Sequence, residues 1–340
     1  MKTHRFLLWI SAGRGGFPIS APAWRAALAA LLLVSLAACQ AKLAAAPVAA
    51  GEQSGSLSVS GAFALYPLMI AWAEDYQAQH PNVRIDVSAG GAGKGMADTL
   101  SGAVDIGMVS RDITPEEQAR GAYWVAVATD AVFPTASDQN PVLPALMARG
   151  ITPETFTGLY IRGQITTWGQ MAGLAQVQDE VHVYTRSDAC GAAEIWARFL
   201  GGNKQEDLLG IGVFGDPGIL EAVIRDPLGI GFNNLNYAFD AASGLPVAGA
   251  AVLPVDVNAN GQADPEEILD SKEKAVTAVA EGRYPSPPAR NLNLVTNGKP
   301  SGLARDFLVW ILSDGQSHVS EVGYIPIPAE RLAAQLEQIR

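Results

Sequence analysis

The chain has 340 residues, with 23 Lys and Arg against 34 Asp and Glu, and a formal net charge of −11 at pH 7. The first 38 residues hold four of the bases and no acid, so the remainder carries 19 minus 34, or −15. A surface so acidic is poorly suited to nucleic acid or anionic lipid, and a small anion would have to be held by local dipoles and a few placed cations.

Residues 1–25 carry Lys2, Arg5, Arg14 and Arg25, and Ala26 to Leu36 is an uncharged apolar run ending in Leu36-Ala37-Ala38-Cys39. This is the pattern of a secretory signal. The small pair before the cysteine resembles a lipobox, in which Cys39 takes the lipid and becomes the first residue of the mature protein. The apolar run of about 11 residues is well short of the roughly 20 that span a bilayer. Residues 1–38 are therefore read as a lipoprotein signal peptide and 39–54 as a flexible tether. The lipid on Cys39 is then the only hold on a membrane, and the protein is extracytoplasmic, periplasmic or at the cell surface. With Cys39 lipidated, Cys190 has no partner for an internal disulfide.

Leu57-Ser58-Val59-Ser60 reads as a strand. From Leu65, apolar positions at Leu68, Met69, Trp72, Ala73 and Tyr76 recur every three or four residues, which predicts an amphipathic helix. Val83 to Val87 alternates as a strand, a helix is expected around Met96 to Ser101, and Val104 to Val109 reads as a buried strand. This β-α-β-α-β order predicts an α/β fold with a mostly parallel sheet. An apolar strand from Tyr123 to Val132 follows. Val181 to Thr185 is a strand feeding a helix from Ala193 to Leu200. Near the end, Leu292 to Val295 and Tyr324 to Ile327 read as strands, with a helix at Ala304 to Leu312. The length beyond residue 54 calls for two lobes.

Three turns join a strand to a helix: Gly61-Ala62-Phe63-Ala64, Gly90-Gly91-Ala92-Gly93-Lys94 and Arg186-Ser187-Asp188-Ala189-Cys190-Gly191-Ala192. Backbone N–H groups at the starts of successive helices can converge on one anion.

The order of these turns resembles the phosphate-binding solute receptors of ABC importers, the PstS type. So do Val104-Asp105-Ile106-Gly107, Ser110-Arg111, Arg186-Ser187-Asp188 and Gly282-Arg283-Tyr284-Pro285. The resemblance covers roughly residues 55–335. It implies a two-lobed periplasmic-binding-protein fold in which each lobe is a mostly parallel sheet flanked by helices and two hinge crossovers join the lobes. Lobe I is then 55–133 with 291–340, and lobe II is 134–290. It also implies a monomer that passes phosphate or a related oxyanion to an ABC permease, closing around it. The family's ligand positions fall on Ala62, Phe63, Ala64, Ala92, Gly93, Lys94, Ser110, Arg111, Arg186, Asp188, Cys190, Gly191 and Ala192. Several of these depart from the hydroxyl and carboxylate side chains of the family. Two readings stay open: an oxyanion held by helix N-termini with Arg186 and Lys94, or a pocket rebuilt for another small ligand with Phe63 and Cys190 in its lining. A third, an envelope scaffold with a vestigial cleft, also remains. Lys94 could equally be a solvated turn lysine, and Arg186 a structural partner of Asp188.

A separate signal lies in lobe II at 256–267. Asp256, Asn258, Asn260, Gln262 by its carbonyl, Asp264 and Glu267 stand at positions 1, 3, 5, 7, 9 and 12 of a calcium loop, with Gly261 at position 6. A structural calcium ion is the expected occupant, although Pro254 before the loop argues against the entering helix of an EF-hand. Catalysis is not expected. Cys190 at a helix N-terminus beside Arg186 has the setting of an activated thiol, but His182 lies too far back along its strand to serve as base, and no zinc spacing or phosphate-binding P-loop is present.

Overall fold

The computed structural model describes residues 53–340. The signal, Cys39 and most of the tether lie outside the described residues. The chain opens as predicted, with β1 (Gly55–Gly61), α1 (Tyr66–Gln79), β2 (Val83–Ala89), α2 (Ala92–Ser101) and β3 (Ile106–Val109). Helix α1 forms where Pro67 fixes the first turn, and it buries Leu68, Met69, Trp72, Ala73 and Tyr76, the positions given by the spacing. Trp72 is fully buried and donates its indole N–H to the Gly315 carbonyl at 2.7 Å, so the largest apolar group of this face leaves no polar atom unmet.

The long strand β4 (Ala122–Ser137) leaves this region. After short helices at Leu143–Arg149, Pro153–Tyr160 and Trp168–Ala172 come β5 (His182–Arg186), α3 (Gly191–Phe199), β6 (Ile211–Val213), α4 (Gly215–Arg225), β7 (Gly229–Asn234) and β8 (Ala250–Val252). Then α5 (Lys272–Ala280), β9 (Ala289–Asn297), α6 (Gly302–Ile311) and α7 (Ala329–Ile339) complete the principal elements. The strands run in the order β2-β1-β3-β9-β4-β7-β5-β6, with β8 on β4. Helix-connected neighbours are parallel, as the β-α-β order requires: β2 and β3 on β1, and β6 and β7 on β5. The centre is antiparallel instead, because β4 and β9 carry the chain out and back.

Two hydrophobic cores lie on either side of that centre. One gathers Leu57, Trp72, Tyr76, Ile106, Leu294 and Phe307, and the other Phe133, Phe156, Trp168, Trp196, Phe232 and Phe239. This is the two-lobed fold of the periplasmic binding proteins. Tyr324 to Ile327 does not form a strand. Ile325 makes one isolated bridge to Thr129, and Tyr324 is instead a fully buried anchor whose hydroxyl donates to the Ala64 carbonyl at 2.6 Å. Among the described residues no helix is long and apolar enough to cross a membrane.

Candidate functional site

The three strand-to-helix turns meet between the lobes. The first turn is pinned by Ala62 N–H to the Met108 carbonyl at 2.9 Å, and its Phe63–Leu65 segment is a single 3-10 turn leading into α1. In the second turn, Gly90 and Gly91 both donate to the Gly61 carbonyl, and Gly93 donates to the Ala189 carbonyl of the third turn at 2.9 Å. Gly91 has φ of +92°, and a Cβ there would come within 2.7 Å of both the Ala189 carbonyl and Asp188 Oδ2. The second and third turns therefore touch through their backbones, and only glycine allows the approach. On the other side of the third turn, Gly191 packs against the backbone of Ser110, the residue that follows β3. Ala92, Ser110, Cys190 and Ala192 are all buried at this junction.

Helix α3 starts here. Its N-cap is Cys190, whose Sγ accepts from the Ala193 N–H at 3.3 Å, while Cys190 N–H donates to Gln205 Oε1 at 3.0 Å. The N–H groups of Gly191 and Ala192 have no acceptor within the helix, as in the first turn of any helix, and they face an interior from which water is excluded. Burial pushes the Cys190 thiol up to about 12, against the pull of Arg186. The sequence setting of an activated thiol is thus reversed by the surroundings. His182 is turned away from Cys190 and bonds to Asp226 at 2.7 Å.

Arg186 is central, and three of its five guanidinium N–H groups are engaged by carboxylates. Its Nε and Nη2 meet the two oxygens of Asp188 at 2.8 and 2.6 Å, and its Nη1 meets Asp216 Oδ2 at 2.6 Å. The Phe63 ring lies 5.4 Å from its guanidinium carbon, and Phe214 packs edge-on against Phe63 at 5.7 Å. Burial opposes the charge, yet the Asp216 carboxylate, with Asp188 behind it, holds the guanidinium above its ordinary range. Asp216 is itself fully buried and accepts from the Asn234 N–H at 3.1 Å and from Asn234 Nδ2 at 2.8 Å.

Two of the expected cations are paired with carboxylates of their own lobe. Lys94 is half exposed and pairs with Asp98 one turn along α2. Arg111 makes a bidentate pair with Glu117, at 2.6 and 2.9 Å, and braces the helix start after Thr114. The position of Ser110 is used through its main chain, whose carbonyl accepts from Arg290 Nε at 3.1 Å.

Four residues of the floor escaped sequence reasoning: Asp130, Asp216, Asn234 and Arg290. Asp130 and Arg290 are opposite one another in the β4–β9 ladder, with Arg290 Nη2 3.4 Å from Asp130 Oδ2. Asp130 Oδ1 accepts from the Leu235 N–H at 3.2 Å, and Arg290 Nη2 also donates to Asn234 Oδ1. Burial raises the Asp130 carboxyl to about 6 despite Arg290. The signal available in the sequence was weak: an arginine second in a strand otherwise made of Ala, Asn, Leu, Val and Thr, and an aspartate inside Gly215-Asp216-Pro217-Gly218 that reads as a turn.

The calcium-type loop follows β8 and the bridge of Val255 to Ile151. Asp256 is buried, and its two oxygens accept from the N–H groups of Asn260 and Gly261 at 3.1 and 2.9 Å. Glu267 reaches back to the N–H groups of Val257 and Asp264, and Asn258 and Asn260 both donate to Asp264 Oδ2. The side chains thus close one ring of hydrogen bonds within the loop. Among the described residues no three His, Cys, Asp or Glu side chains are gathered closely enough to hold a metal alone, so an ion here would depend on amide and carbonyl oxygens as well.

Comparison with known proteins places these observations. The model of a PBP superfamily domain matches residues 46–315. The phosphate-binding protein PstS of Bacillus subtilis is 27% identical over 285 residues, covering 82% of this chain and 84% of that protein. PstS of Xylella fastidiosa is 25% identical over 318 residues, covering 84% and 85%. Among solved structures, a phosphate ABC transporter substrate-binding protein of Clostridium perfringens with bound phosphate superposes with a TM-score of 0.65 at 24% identity, over 81% of this chain and all of that one. By their names these relatives are solute-binding proteins. The chain belongs to the PBP superfamily and is similar over most of its length to PstS-type proteins.

Proposed function

We propose that this protein is an extracytoplasmic receptor that captures phosphate or a related small oxyanion between its lobes and presents it to an ABC permease. The observation that carries this reading is the buried meeting of the α3 N-terminus, at Gly191, with Ser110 of the opposite lobe, beside the Gly93 N–H bonded to the Ala189 carbonyl. Main-chain N–H groups and a helix dipole suit a small anion even where hydroxyl side chains are replaced by Ala62, Ala64, Ala92 and Ala192. The lipid on Cys39 would hold the receptor, as a monomer, to the membrane surface. The loop at 256–267 would carry calcium as a structural ion, holding lobe II's surface where Ala263 N–H meets the Ala148 carbonyl.

One observation favours a second reading, a receptor of the same fold rebuilt for another ligand. Arg186 is neutralised by Asp188 and Asp216 and covered by Phe63, so it offers little to an incoming anion. Isothermal titration calorimetry of ligand-stripped protein against phosphate, with sulfate, arsenate and molybdate beside it, separates the two. Saturable phosphate binding supports the first reading, and no heat with any oxyanion supports the second.

A further inference from the structure

Whatever anion enters this cleft meets two arginines in unequal states. Arg186 gives three of its five N–H donors to carboxylates, and the trio of Arg186, Asp188 and Asp216 carries one net negative charge. Arg290 is different. It is buried, Nε and Nη2 donate to the Ser110 carbonyl and Asn234 Oδ1, and Asp130 Oδ2 lies 3.4 Å from Nη2 as an ion-pair contact without a hydrogen bond. Its Nη1 is buried with no hydrogen-bond partner at all, and neither has the Asp130 Oδ2 atom. Buried charged donors are nearly always satisfied, so an orphan Nη1 calls for a group that supplies the missing acceptor.

Location identifies that group. The Ser110 carbonyl bonded to Arg290 Nε is the same atom against which Gly191 packs at the start of α3. Arg290 therefore lies beside the N-terminus that the proposed function assigns to the anion. Its pairing with Asp130 does not explain its presence: an arginine recruited only to neutralise a carboxylate can meet it with two parallel N–H···O bonds, as Arg186 meets Asp188. The Asp130 contact is long and single.

We infer that Arg290 supplies a side-chain charge and an N–H donor that meet the bound oxyanion, with Asp216 serving as a permanent counter-anion to Arg186. This rests on the reading of the cleft as an oxyanion site. The test is phosphate titration of the whole protein and of its Arg290→Gln and Arg290→Lys variants, at low and high salt, with melting curves taken in parallel. Arg290→Gln should weaken phosphate binding at least thirtyfold and flatten its salt dependence, while Arg290→Lys, which keeps the charge, should recover part of the loss. Binding by Arg290→Gln within threefold of the unaltered protein overturns the inference and leaves the oxyanion reading standing. No phosphate binding by the unaltered protein removes both. Should Arg290→Gln fail to fold, side-chain 15N–1H spectra of the unaltered protein decide: phosphate should shift the Arg290 guanidinium signals, and Arg290 signals that stay in place while phosphate binds overturn the inference.

Discussion

Arg186→Ala is the substitution whose outcome follows most directly from the geometry. The side chain is 1% exposed, and its partners Asp188 and Asp216 are 6% and 0% exposed. Removing it takes away three short charge-assisted bonds and leaves two carboxylates in a dry interior. Each such bond is worth about 1.5–3 kcal/mol, which would sum to well above the real cost, because the carboxylates keep other donors. Asp188 Oδ1 retains the Gly215 N–H, and Asp216 Oδ1 retains Asn234. Breaking a buried ion pair from one side costs about 3–5 kcal/mol, and that range is the expectation here. For a domain of this size it corresponds to a melting temperature lower by roughly 6–20 °C. Urea unfolding followed by tryptophan fluorescence measures it, with the slope unchanged if only stability is altered. The Arg186→Ala/Asp216→Ala double variant should show a coupling of at least about 1.5 kcal/mol. A loss below about 1 kcal/mol, or additive single effects, would refute the argument that this trio is held together by its charges.

Further outcomes follow from other groups. Asp216→Asn takes the trio from one net negative charge to none, so phosphate affinity should rise, by about tenfold if the change is worth ~1.4 kcal/mol, and calorimetry would show it. Asp130 titrates near 6 in the folded protein against an ordinary 3.8, so the folded state binds the extra proton and stability falls as pH rises from about 4 to 6. The shift of 6 minus 3.8, or 2.2, amounts to about 3 kcal/mol, and Asp130→Asn should remove that slope from unfolding curves taken across the window, whereas parallel curves would refute it. With calcium affinity of about 10⁻⁴ to 10⁻³ M, about 2 mM calcium should add roughly 0.6–1.8 kcal/mol, so chelator should lower the melting temperature by a few degrees and Asp256→Ala should abolish that response. Cys190, with its thiol near 12, should label with iodoacetamide at pH 7 far more slowly than a free cysteine until the protein is unfolded.

Much of the fold was legible because its signals are local. The spacing of Leu68, Trp72 and Tyr76 gives the buried face of α1, and the alternation of Val83 to Val87 gives β2. Tyr324 to Ile327 misled because β-branched and aromatic residues before a helix look like a strand, whereas a single bridge and a buried tyrosine hydroxyl are tertiary facts. The chemistry of the cleft was less legible for the same reason. Arg186 and Asp188 are two residues apart and could be paired on paper, but Asp216 reaches Arg186 across 30 positions and Arg290 reaches Ser110 across 180. Lys94 shows the opposite error: a cation in a glycine-rich turn invites a ligand role, yet an acid four residues on captures it.

Strand β4 is bonded to β9 along Ala122–Ala131 and to β7 along Val132–Ala136. One strand, with a bulge between Ala126 and Ala128, thus runs through both lobes, and its partner changes from β9 to β7 between Ala131 and Val132. The cross-strand pair Asp130–Arg290 sits next to that change, whereas Phe63, Gly91 and Gly191 stand on turns at the ends of other strands. The pair's two charges are therefore built into the one strand that both hydrophobic cores share, and belong to neither lobe alone.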